Sequence, residues 1–258
     1  MGALDGRVVV VTGASRGLGE SLAIGYAQAG AHVVLSARSK GDLDRVAEAC
    51  RDAGAASATV VPADVTDEAA VQSLVDATVA QHGTLDCFVA NAGTSFAMLT
   101  DKRYRELATW DAGIAEEILR VNVVGVLSCL KAAIPAMTAG GSFIAIGSET
   151  GRALRPGSGM YAVSKAALDA LATMAARETA ETGIRVNVLS PGGMVDTQLF
   201  GPNGMPDFLK QMHPPLPPDV IVPAAIWLAS DDSDGVTGRF VSAKTFNEMG
   251  PAAAEAAR

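Results

Sequence analysis

The chain is 258 residues long and 49% hydrophobic, with 20 basic against 28 acidic side chains and a net charge of −8. That length and apolar content suit one large core in a single α/β domain over residues 1–258, and the acidic balance excludes nucleic acid and anionic membrane as expected partners. Cys50, Cys87 and Cys129 are widely spaced without a CxxC pair, so neither a disulfide framework nor a metal site is predicted, and a reducing cytoplasm fits.

The opening MGALDGRVVVV lacks the basic lead, apolar stretch and cleavage site of a signal peptide, and Gly6 stands where a myristoylation motif has Ser or Thr. RVVVVT at 7 is the first of several short β-branched runs. HVVLS at 32, ATVVP at 58, DCFVA at 86, SFIAIG at 142, RVNVLS at 185 and RFVSA at 239 follow it. Near-continuous apolar strands are buried on both faces, so these runs predict a parallel sheet between helical layers. GLGESLAIGYAQAG, DLDRVAEACRDAG and DEAAVQSLVDATVAQHG have helical period and end in Gly, a helix stop. The pattern is that of a Rossmann-type, doubly wound seven-stranded parallel sheet with right-handed crossovers. Farther along, VNVVGVLSCLKAAIPAM is apolar, but Lys131 interrupts it short of a membrane span. A proline-rich excursion over 201–220 departs from the α/β rhythm, and the Ala-rich 250–258 reads as a flexible tail.

TGASRGLG, residues 12–19, joins the first strand to the first helix. There Gly13, Gly17 and Gly19, with Ser15 and Leu18 between them, let backbone approach a pyrophosphate that the helix N-terminal amides can bind. The second strand ends Ser36-Ala37-Arg38, without the carboxylate that bonds a ribose 2′-hydroxyl. Arg16 and Arg38, with Ser15 as a further donor, instead suit the 2′-phosphate of NADP(H).

The spacing T-G-x-x-x-G-x-G resembles that of the short-chain dehydrogenase/reductase family, and nearly the whole chain follows the same order. Asp64-Val65 in ADVTD is similar to the family's adenine-side segment, and Asn91-Ala92-Gly93 to its NAG after the fourth strand. Asn122 in RVNVVG, Ser148 in AIGSETG and Tyr161 to Lys165 in YAVSK resemble its catalytic asparagine, serine and Y-x-x-x-K pair. Pro191-Gly192 after the sixth strand and the late WLASDDSDGVTG complete the order. Two departures stand out. Thr197 arrives one residue later than the family's carboxamide-binding Thr or Ser, and the stretch between Asn91 and Asn122 is longer than is common. TSFAMLTDKRYRELATWDAG is therefore expected to form an altered loop beside the pocket. Taken singly, each residue has a plainer use: Asp64 as a helix cap, Asn91 in a turn, Asn122 as a polar helix residue and Lys165 as a solvated lysine.

The resemblance implies hydride transfer by the nicotinamide, with Tyr161 as general acid/base and Ser148 bonding the substrate oxygen. A tyrosine titrating at about 10 is poorly matched to neutral pH. Lys165, one helical turn on, is expected to lower that value, as well as to bond the nicotinamide ribose. Asn122 is expected to hold a water that links the lysine to solvent. Three histidines offer no competing catalyst. His32 enters a strand, His82 ends a helix where an imidazolium suits the dipole, and His213 lies in the proline-rich excursion.

The expected activity is that of an NADP(H)-dependent oxidoreductase acting on a small or medium apolar carbonyl or alcohol. Phe96, Leu154, Met160, Met194, Leu199, Phe200, Phe208 and Met212 supply the pocket wall, and the excursion closes it as a lid. One alternative is a 3-oxoacyl-[acyl-carrier-protein] reductase, for which Arg152 and Arg155 near Tyr161 speak; AMTAGGSF and ETAETGI, lacking excess positive charge, speak against it. Another is a non-catalytic NADP-binding sensor or scaffold. A cytoplasmic homotetramer is expected, associating through the helices that carry Asn122 and Tyr161, where ALDALATMAARETA offers small residues.

Overall fold

A computed structural model of the protein describes residues 2–100, 106–201 and 203–252. The seven apolar runs form strands β1 Val8–Thr12, β2 His32–Ser36, β3 Ser57–Val60, β4 Cys87–Ala90, β5 Ser142–Ile146, β6 Arg185–Ser190 and β7 Phe240–Ser242. All pair in parallel, in the order β3-β2-β1-β4-β5-β6-β7. The helices are α1 Gly17–Gln28, α2 Lys40–Asp52, α3 Glu68–His82, α4 Phe96–Leu99, α5 Ala112–Leu119 and α6 Gly125–Ala136. They continue with α7 Glu149–Ala153, α8 Gly159–Glu178, α9 Asp207–Met212, α10 Val222–Ala229 and α11 Ala243–Met249.

The period-2 alternation of β1 explains why its run is wholly apolar: Val9 and Val11 pack into a core with α1, α2, α10 and α11. Val8 and Val10 pack into the opposite core with α3, α6 and α8. The predicted glycine stop of α3 is observed as Gly83 in the left-handed region at φ 78°. Asp67 caps the same helix by accepting from the Ala69 and Ala70 amides.

Helices α5 and α6 are joined by a π-helical turn over Arg120–Val124, giving one run from Ala112 to Ala136. Its most apolar 18-residue window has a mean hydropathy of 1.6, and the run is long enough for a membrane span, so Lys131 does not interrupt it as the sequence suggested. Half of its most apolar window is buried inside the protein. The tail expected from 250 begins where α11 ends, and 253–258 lie outside the described residues. Residues 101–105 of the predicted altered loop do too. The remainder of that loop holds α4 and a 3₁₀ turn at Leu107–Thr109, with Trp110 packed edge-on against Phe96.

Because β1 lies between β2 and β4, successive connections leave the sheet on opposite sides there and open a crevice at the carboxyl ends of the strands. A cavity of about 1390 Å³ fills that crevice.

Candidate active site

The glycine loop forms one wall of the cavity. Gly13 and Gly17 occupy the left-handed region at φ 65° and 58°. A side chain on Gly19 would start 2.1 Å from the Gly13 carbonyl oxygen. Asn91 fixes this arrangement, donating from Nδ2 to the carbonyls of Thr12 at 2.8 Å and Gly13 at 3.2 Å. Its role is thus to pin the loop to the end of β4, more specific than the closing of a turn. Arg16 stands at the N-cap of α1, and no side chain caps the helix, whose first turn lines the cavity with Gly17, Leu18 and Gly19. The Ser15 carbonyl accepts from Arg45, which also pairs with Glu20.

At the β2–β3 edge the cavity is lined by Arg16, Arg38, Asp64 and Val65. Ser36 Oγ, at the carboxyl end of β2, is buried without a hydrogen-bond partner. Asp64 does not cap a helix; its Oδ1 accepts from Thr66 N at 2.9 Å and Thr66 Oγ1 at 2.7 Å. Burial works to raise the Asp64 carboxyl, but the Thr66 bonds and the charges of Arg38 and Arg120 hold it below its ordinary value.

At the β5–β6 edge the structure brings the four predicted side chains together. Lys165 is buried, and its Nζ donates to the Ile146 carbonyl at 2.7 Å. It lies 5.8 Å from the centre of the Tyr161 ring. Tyr161 and Ser148 both line the cavity here. Asn122 is fully buried in the π turn: Oδ1 accepts from Thr94 N at 2.8 Å, and Nδ2 donates to Thr94 O at 2.9 Å and Ser164 Oγ at 3.0 Å. Its side chain thus ties the loop after β4 to α8. Ala92 lines the cavity beside Gly93, where a side chain would start 3.3 Å from Asn122 Oδ1 and 3.9 Å from Lys165 Nζ.

The ionisation of the pair differs from the sequence expectation. Burial pushes the Tyr161 phenol up to about 12, with the Ser148 hydroxyl pulling down and Glu149 pushing up. Burial pulls Lys165 down to about 8, opposed by Asp169. In the protein alone, burial is the largest influence on the ionisation of both groups.

Pro191 and Gly192 line the cavity between Tyr161 and the glycine loop, and Thr197 reaches that loop: a side chain on Gly17 would meet its Cγ2 at 3.3 Å. Thr197 Oγ1 accepts from Leu199 N, capping a 3₁₀ turn. Of the expected apolar wall, Phe96, Met194, Leu199, Phe200 and Met212 line the cavity. Leu154, Met160 and Phe208 do not; Leu154 and Phe208 are exposed beside it. The excursion is held over the site by Lys210 Nζ on Asp196 at 2.6 Å, by Met205 N on Asp196 Oδ1 at 2.7 Å and by a bridge between Val195 and Leu216.

His213 also lines the cavity. His32 bonds Ser57 Oγ at 2.9 Å. His82 is the opposite of the helix-end cation expected, since burial and the neighbouring His32 lower its pKa. Among the described residues no group of three or more His, Cys, Asp or Glu is placed to hold a metal.

Sequence reasoning missed Arg120, Glu149 and Lys244, all of which line the cavity. Glu149 directly follows Ser148, and Arg120 stands two residues before Asn122, so adjacency to the motif residues was the available signal. Lys244 follows β7 with no motif to mark it.

The donor set fits a dinucleotide: uncapped helix amides beside glycines for a pyrophosphate, and a buried orphan hydroxyl with two arginines at the β2 end. A family model described as enoyl-(acyl carrier protein) reductase matches residues 13–243. The chain is 40% identical over 255 residues to an uncharacterised oxidoreductase of Methylorubrum extorquens, covering 94% of this chain and 98% of that one. Carveol dehydrogenase from Mycobacterium avium, solved in complex with NAD, superposes with a TM-score of 0.82 at 29% identity, over 94% of this chain and 97% of that one. A short-chain dehydrogenase from Burkholderia cenocepacia, solved in complex with NADP, gives a TM-score of 0.82 at 26% identity, over 93% and 97%. With its sheet order, its glycine loop and these matches along nearly its whole length, the chain belongs to the short-chain dehydrogenase/reductase family and is an NAD(P)-dependent oxidoreductase.

Proposed function

We propose that the protein is an NADP(H)-dependent carbonyl reductase or alcohol dehydrogenase for small or medium apolar substrates, working in the cytoplasm as a homo-oligomer. The observation that carries the chemical part is the clustering of Ser148, Tyr161 and Lys165 at one edge of a large cavity that begins at the glycine loop. The coenzyme, when bound, supplies or accepts the hydride. Ser148 and Tyr161 orient the carbonyl oxygen and pass it a proton, and Lys165 stabilises the phenolate that results. With its side chain committed to Thr94 and Ser164, Asn122 supports this arrangement by joining the loop after β4 to α8. Phe96, Met194 and Met212 give the substrate end its apolar character, and the segment 201–218 excludes water as a lid.

Arg16 and Arg38, with no carboxylate at the end of β2, support NADP(H) over NAD(H). An NAD reading has its own support in Asp42, which lines the same rim, and in the NAD-bound carveol dehydrogenase. Carrier-bound acyl substrates are disfavoured because the acidic chain would repel an acidic carrier.

A panel of cyclic and open-chain ketones and alcohols, assayed with both coenzymes, tests the proposal. The expected result is turnover preferring NADP(H), with Arg38→Ala cutting that preference at least tenfold; equal use of NAD(H), or no effect of the substitution, overturns the coenzyme assignment. Tyr161→Phe is expected to lower turnover by about 10²- to 10⁴-fold while NADPH still binds. Near-normal turnover in that variant would refute the acid role.

A further inference from the structure

The loop between β4 and α5 brings one large side chain to the substrate end of the cavity. Trp110 closes the 3₁₀ turn at Leu107–Thr109, its amide donating to the Leu107 carbonyl at 3.2 Å. Asp111 follows it and caps α5 by accepting from Ile114 N at 3.0 Å. The backbone that carries the indole is thus fixed on both sides.

The indole meets two walls of the site at once. On one side its ring stands 6.0 Å from that of Phe96, edge to face at 80°, and Phe96 lines the cavity. On the other it lies against the backbone of Gly159, where a side chain would start 2.0 Å from Cζ2 and 2.6 Å from Cε2 of Trp110. Gly159 opens α8 in the left-handed region at φ 55°, two residues before Tyr161, so both the conformation and the indole require a glycine there. Its neighbour Ser158 lines the cavity with Tyr161. Trp110 itself does not line the cavity and is half-buried, which puts it behind the wall, in the seam between α4 and the start of α8. The other side of α4 is held as well: Ser95 Oγ donates to the Leu199 carbonyl, and a side chain on Gly201 would start 3.1 Å from the Ala97 carbonyl oxygen. The Phe96 segment is clamped between the root of the lid and the indole.

We propose that Trp110 is a specificity-determining residue, which by filling the seam behind Phe96 sets how far the apolar end of the pocket reaches and holds the site to compact carbonyl compounds. It acts through Phe96 and so positions the wall without forming it. Removing the indole leaves a void beside the Phe96 ring and the Gly159 backbone, and a ring that turns into that void lengthens the pocket. The inference rests on the reading of this site as one for free apolar carbonyl or alcohol substrates.

Binding of a ketone to the complex with NADP⁺ reads the pocket without turnover, since neither molecule carries a hydride to transfer. Calorimetric titration of that complex with cyclohexanone and with cyclooctanone gives a ratio of affinities. An apolar pocket that gains room for a methylene gains roughly 10- to 200-fold in preference, so Trp110→Ala is expected to move the ratio toward cyclooctanone by at least about tenfold over the parent. Trp110→Phe keeps an aromatic ring in the seam and should stay nearer the parent's ratio. An indole with a merely structural role would weaken both ketones alike and leave the ratio where it was. A ratio in Trp110→Ala equal to the parent's, or moved toward cyclohexanone, overturns the inference. Should Trp110→Ala not fold, Trp110→Leu carries the same test. If the ratio moves as expected but the parent reduces neither ketone with either coenzyme, the failure is that of the proposed reaction and not of the wall.

Discussion

Asn122 shows how one side chain can be worth more than its motif position suggests. It is fully buried at the π turn, and its amide joins the loop after β4, through Thr94, to α8, through Ser164. Ser164 in turn donates to the Tyr161 carbonyl at 2.7 Å, so the asparagine braces the turn of α8 that carries the tyrosine. Truncation to Ala strands the Thr94 amide and carbonyl away from water, while the Ser164 hydroxyl keeps its bond to the Tyr161 carbonyl. With about 1–3 kcal/mol for each buried group left unpaired, partly relieved by water entering the gap, Asn122→Ala should lose on the order of 3 kcal/mol of unfolding free energy. Urea denaturation measures this. A loss below about 1 kcal/mol would mean that the buried amide is not the brace described.

The two helices that flank β2 and β4 show opposite strategies at the scale of elements. Helix α1 has Arg16 at its N-cap and no side chain bonding its first amides, whereas α3 is capped by Asp67 at one end and Gly83 at the other. An end that faces the cavity is left open for a ligand; an end that faces solvent is finished by the chain itself. Asp67→Ala and Gly83→Ala should therefore each cost about 1 kcal/mol of stability, the first through the lost cap and the second through left-handed strain. Neither should change the affinity for coenzyme. Thermal unfolding beside NADPH fluorescence titration separates the two effects, and weakened coenzyme binding in either variant would contradict the division. Elements of this regular kind were legible from the sequence: VVVVT can only be a strand buried on both faces, and a glycine closing DATVAQHG can only stop a helix. The π turn at Asn122 was not legible, because no residue type marks a change from i+4 to i+5 bonding. Nor were α9 and α11, short helices whose form follows from what they dock against. In the site, the glycine loop and the Ser148, Tyr161 and Lys165 cluster could be placed from spacing. The ionisation of that cluster could not, since it depends on burial and on Glu149 and Asp169, which spacing does not weigh.

Surface chemistry decides the arguments at the scale of the whole molecule. The chain carries a net charge of −8, yet Val124, Leu127, Val163 and Met174 stand exposed on the run through α6 and on α8. Val163 and Met174 are eleven residues apart, three helical turns, and so lie on one stripe of α8 with Ala167 and Ala170 between them. Val124 and Leu127 share a face of the adjacent helical run, which packs beside α8. Large apolar side chains flanking small ones form a ridge and a groove that a second copy related by a two-fold axis can fill with its own. That is the surface through which the proposed homo-oligomer would form, with a tetramer completed by a further pair. Light scattering at micromolar concentration should give a mass of two or four chains. Met174→Glu with Leu127→Glu, placing like charges opposite one another across the axis, should reduce that mass to one chain while leaving the cavity residues untouched. A monomer for the parent protein would remove the interface altogether. An unchanged oligomer in the double variant would place the contact on another face of the molecule.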